Sequence, residues 1–145
     1  MHNGAETEER MRRESRYRAI SAILVVTFAA AGILFLFLPQ TALEGMNSVS
    51  RMLGMRESPV HGASLYVILA SAYMYLVTLF AWKMMNSPAN KIYPALLVQG
   101  KSASALVSLA LFVFHAPYLI FLANAIVDGV IAAGVWMLRR KIAES

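Results

Sequence analysis

Two ionisable residues stand where charge is expensive. Lys101 falls inside the apolar stretch 93–114, and Asp128 falls inside the apolar stretch 118–138. Both stretches are long enough to cross a hydrocarbon core, where an ionisable group is costly and normally turns inward onto a partner. An ammonium facing a carboxylate there can do one of two things. It can fix the register of two helices, or it can carry a proton or hold the polar head of a ligand. Depth supports the pairing. At 1.5 Å per residue, Lys101 lies about 12 Å along its helix from Tyr93, and Asp128 about 15 Å from Leu138. Asn124 lies one turn before Asp128, Ser104 lies one turn from Lys101, and Tyr73 of the preceding apolar stretch reaches a similar depth. The expected site is therefore a buried polar layer of Lys101, Asp128, Asn124, Ser104 and Tyr73.

A second pair of chemical residues is His61 and His115, which open one apolar stretch and close the next on the same side. Neutral imidazoles at matching depth are the usual axial ligands of haem b and of many metals. Both also stand beside prolines, Pro59 and Pro117, at helix ends where a wet histidine needs no ligand. No cofactor follows from them alone. The chain has no cysteine, so disulfides, thiolate nucleophiles and cysteine-ligated clusters are excluded. It contains no Gly-rich phosphate loop, no HExxH and no paired-acid motif of metal-dependent lipid-phosphate enzymes. The reading is weighted against an enzyme.

The elements that must position these residues follow from hydropathy. The chain is 59% hydrophobic and only 14% charged, more than a soluble domain of 145 residues can hide in a core. Four stretches, 18–38, 63–82, 93–114 and 118–138, match the roughly 20 helical residues that span a bilayer. Ten basic residues (Arg10, Arg12, Arg13, Arg16, Arg18, Lys83, Lys91, Arg139, Arg140 and Lys141) flank one side, against Arg51 and Arg56 on the other. The positive-inside rule places both termini in the cytoplasm. The same segregation explains the net charge of +5 without nucleic acid. The first stretch is longer than a signal-peptide core and lacks a small-x-small cleavage site, so it reads as a retained helix. Residues 1–16 read as a polar cytoplasmic arm, 17–141 as the transmembrane domain, and 142–145 as a tail.

Finer expectations concern packing. The three residues 115–117 make the last two helices antiparallel neighbours. Small residues at intervals of four, Gly100, Ser104 and Ser108 on one and Ala125, Gly129 and Ala133 on the other, suit close helix contact in lipid, and they are expected to face each other. Trp82, Tyr93 and Trp136 suit the interface. In the loop 39–62, Thr41 and Glu44 have the spacing of a capping box. Leu43, Met46, Val49, Met52 and Leu53 recur at helical spacing opposite Glu44, Asn47, Ser48 and Arg51, with Gly54 as a stop. That predicts a short amphipathic helix on the outer surface.

The sum is an all-α membrane protein, a four-helix transmembrane bundle with both termini inside, placed in the cell inner membrane. In size and helix number it resembles in outline the small multidrug-resistance transporters and DoxX-like membrane proteins. The former depend on an acidic residue in their first helix, which the stretch 18–38 lacks. The leading functional expectation is association, as an accessory subunit of a larger membrane complex or a homo-oligomer, with lipid and other membrane subunits as partners. A small transporter or proton-linked carrier built on Lys101 and Asp128 is the alternative, and an electron-transfer subunit using haem b or a quinone through His61 and His115 is the third.

Overall fold

The structure, a computed structural model, describes residues 3–59 and 64–143, with side chains described for 7–59 and 67–140. The described residues form five helices and no strand: α1 (Asn3–Phe37), α2 (Pro39–Met52), α3 (Ser64–Asn86), α4 (Ile92–Phe114) and α5 (Leu119–Ala143). Four of them, α1, α3, α4 and α5, contain segments long and apolar enough to cross a membrane. Most of their surface faces out of the molecule, with Val26, Ile68, Leu106 and Val130 each more than 60% exposed. Such surface has no place in water, and a helix is one of the few structures that satisfies its own backbone in lipid.

α1 runs further than its apolar part. Residues 3–16, expected as an arm, continue the first apolar helix without a break. Glu9 pairs with Arg13 and Glu14 with Arg18 at 2.7 Å. These are (i, i+4) pairs with the acid on the N-terminal side, the favourable order on a helix. No proline interrupts the segment.

α1 packs along α3 and α4 along α5, while α3 and α4 share a smaller contact. On α1 the inward face is Tyr17, Ser21, Leu24 and Phe28, ending at Gly32. A Cβ added at Gly32 would come within 3.1 Å of the Met74 Cβ, so glycine is what lets α1 and α3 approach so closely. Val77, Ala81 and Met84 of α3, Leu97 of α4 and Val135 of α5 complete the apolar core with Tyr17 and Phe28. This core joins the end of α3, the start of α4 and the end of α5 to the Tyr17 level of α1. The basic flanks therefore gather at one end of the molecule. At that end the Lys83 ammonium stands over the Trp82 ring at 5.1 Å and the Arg140 guanidinium over Trp136 at 4.1 Å.

At the opposite end, only Leu38 separates α1 from α2. The expected capping box does not form. Pro39, whose fixed φ and missing N–H suit the first helical position, starts the helix ahead of Thr41, with Ala42 N–H donating to Leu38 O. The helix stops at Gly54 as expected. Gly54 adopts φ +67°, its N–H reaches Arg51 O, and Met55 N–H reaches Ser50 O, the paired bonds of a Schellman motif. The face of α2 turned to the protein is polar, and residues of the apolar stripe point outward. Asn47 and Ser50 are buried, whereas Val49, Met52 and Leu53 are exposed. Asn47 is drawn inward because its side-chain amide brackets Ser58, donating to the carbonyl at 2.9 Å and accepting from the N–H at 2.8 Å. Arg56 then stacks over Tyr118 at 5.8 Å and ties this loop to the α4–α5 turn.

The Gly32 contact gives a direct test of α1–α3 packing. Gly32→Leu should destabilise the purified protein by about 1–3 kcal/mol through overpacking. Gly134→Leu, at a position where an added Cβ meets nothing within 4 Å, should leave thermal unfolding in detergent nearly unchanged.

Candidate functional site: a buried ion pair at the junction of four helices

The Lys101 Nζ donates to Asp128 Oδ1 at 2.7 Å, and both residues are almost wholly buried, at 1% and 2% exposure. The ammonium also lies 4.7 Å from the Phe28 ring centroid and 5.0 Å from that of Tyr73. One cation thus touches all four long helices: it belongs to α4, its counter-ion to α5, and its two aromatic walls to α1 and α3. The aromatic faces carry negative quadrupole charge, and a desolvated cation–π contact contributes about 2 kcal/mol. Position along α1 fits the same level. Phe28 is about 15 Å along the helix from Arg18, close to the depth of Lys101 below Tyr93.

Farther from the basic end, Asn124 Nδ2 donates to Ser104 Oγ at 3.1 Å and to Ser108 Oγ at 2.7 Å. The structure therefore brings the five expected residues into one layer, with Ser108 and Phe28 added. Ser104 stands opposite Asn124, and Lys101 opposite Asp128.

The layer is not saturated. Asp128 Oδ2, Tyr73 Oη and Ser71 Oγ are buried without a hydrogen-bond partner, as are Tyr17 Oη and Ser21 Oγ nearer the basic end. A buried carboxylate oxygen and a buried phenol left unpaired are sites where a water molecule, a proton or a polar ligand atom would be held.

The small-residue stripes divide. Ser104 and Ser108 face α5, and Gly100 turns toward α3, where an added Cβ would lie 3.9 Å from Tyr73 Oη. On α5 the stripe of Ala125, Gly129 and Ala133 is not the face that meets α4. Ala133 is exposed and Gly129 is open, while Asn124, Asp128, Ala132 and Val135 point inward. Successive helical residues differ by about 100°, so turning Asp128 away from lipid carries Gly129 outward.

His61 lies outside the described residues. His115 is exposed at the C-terminal end of α4. Among the described residues no three His, Cys, Asp or Glu gather closely enough to hold a metal ion. Phe28 is the member of the site that sequence reading missed. One phenylalanine in an apolar run carries no mark of what lies opposite it. Compared with known protein families, curated proteins and solved structures, the chain finds no match.

The geometry makes an asymmetric prediction. Lys101→Met or Asp128→Leu alone strands a buried charge and should destabilise by about 3–5 kcal/mol, whereas the double variant should recover most of the loss. Unfolding of the three variants in the same detergent measures it. Equal and additive losses would mean that the pair is not coupled.

Proposed function

We propose that this chain is an integral protein of the cell inner membrane, a four-helix transmembrane bundle with both termini in the cytoplasm, that works by association. It acts as a subunit of a larger membrane complex or as a homo-oligomer, and the Lys101–Asp128 pair holds its helices in register. α2 lies at the outer surface. The ten basic residues at one end, against Arg51 and Arg56 at the other, support the orientation.

The observation that carries the associative reading is the outward stripe on α5. Gly129 and Ala133, four residues apart, form a small-residue face: Ala133 is exposed, and a Cβ added at Gly129 meets nothing within 4 Å among the described residues. In lipid such a face is where a second helix approaches most closely. Gln99 adds an independent reason. Its amide is exposed about 9 Å along α4 from Tyr93, within the apolar part of the helix. An amide in hydrocarbon gains from a hydrogen bond to another helix.

The unpartnered Asp128 Oδ2 and Tyr73 Oη favour a second reading, a small transporter or proton-linked carrier in which the polar layer opens to one side. In that case Asp128→Asn would abolish flux in proteoliposomes while the protein stays folded.

Gentle extraction followed by native mass measurement tests association. A complex heavier than the monomer is expected. Gly129→Leu combined with Ala133→Leu should dissociate it into a folded monomer with undiminished helix content. A strictly monomeric wild-type protein with nothing co-purifying would contradict the proposal.

A further inference from the structure

At the basic end, the polar start of α1 and the α3–α4 turn enclose a cleft of about 390 Å³ lined by Arg10, Arg13, Glu14, Ser87, Pro88, Ala89 and Lys91. We infer that this cleft is a binding site for the phosphate head group of an anionic membrane lipid. The assignment rests on the long helices spanning a bilayer.

Charge is the first argument. Glu14 is paired with Arg18, and Arg13 is paired with Glu9. Neither pair adds net charge. Arg10 and Lys91 engage no carboxylate among the described residues, which leaves the cleft with two positive charges to satisfy. Ser87 supplies a hydroxyl beside them. The start of α4 borders the site and adds the positive end of a helix dipole, with no acidic residue in its first turn to cancel it.

Depth is the second. Arg10 to Glu14 precede Arg18 by four to eight residues, about 6–12 Å along the helix. Residues 87–91 form the turn between two apolar helices. The cleft therefore begins in the polar layer of about 5–7 Å per leaflet that holds lipid phosphates and extends outward from it, with Arg10 at its far end. Basic pockets between helices at that level suit anionic head groups. The arrangement is also directional. Arg12 and Arg16, on the same segment of α1, do not line the cleft.

The test compares two double variants with equal loss of charge. Protein in phosphatidylcholine nanodiscs is titrated with phosphatidylglycerol, and bound lipid is counted by native mass spectrometry. The wild type should retain one anionic lipid saturably. Arg10→Gln with Lys91→Gln should weaken retention by about tenfold or more, at roughly fivefold per basic residue. Arg12→Gln with Arg16→Gln should stay within about twofold of wild type, since diffuse attraction is weakened in the uncharged host lipid. Equal losses in both variants, or none in either, would overturn the site. Full displacement of the lipid by millimolar inorganic phosphate would make the ligand a soluble anion and overturn the lipid assignment. Release of the wild-type chain from membranes by alkaline carbonate would instead refute the spanning helices, and the site with them. Retention in the membrane with no lipid preference refutes the cleft alone.

Discussion

An ammonium buried among four helices must be held from every side or not be charged there at all. Desolvating an ion costs several kcal/mol, and a counter-ion offsets it only in good geometry. Lys101 receives a carboxylate oxygen from α5 and aromatic faces from α1 and α3. Each of those groups has to arrive at one level for the arrangement to hold. The pair and the common level of the four long helices therefore go together. Close packing acts beside it, through Gly32 against Met74 and through the apolar core toward the basic end.

The pair also helps to join two closely packed halves. α1 and α3 form one closely packed pair, aided by Gly32 against Met74, and α4 and α5 form the other, with Asn124 bridging Ser104 and Ser108. Between the halves the contact of α3 with α4 is narrower. Phe28 and Tyr73 come from the first half, Lys101 and Asp128 from the second. The layer is the polar seam between them, while Tyr17, Met84, Leu97 and Val135 form the apolar seam toward the basic end.

Much of this was legible because charge inside an apolar run is a rare signal with few physical outcomes. Lys101 and Asp128 could be matched by depth to within one helical turn. The α5 stripe was misplaced for an equally physical reason. Small residues say that a helix can approach, but Asp128 decides which way α5 turns, and Gly129 is then carried outward. Asn47 was assigned to the wet side of α2 because it is polar; its burial follows from the main chain of Ser58, which no side-chain pattern records. Phe28 was invisible for want of any local mark. The helical continuation of residues 3–16 was present in the Glu9–Arg13 and Glu14–Arg18 spacings, yet the polarity of that segment spoke against it.

The contact between Lys101 and Asp128, shielded from water, can be measured directly with the protein in a bilayer. Solid-state NMR on protein labelled with ¹⁵N at the lysine amine and ¹³C at the aspartate carboxyl measures that contact through space. A strong Lys101 Nζ–Asp128 Cγ dipolar coupling is expected, with a Lys101 side-chain signal that a water-soluble paramagnetic ion does not broaden. An absent coupling, together with a Lys101 signal broadened like those of Lys83 and Lys91, would contradict the contact.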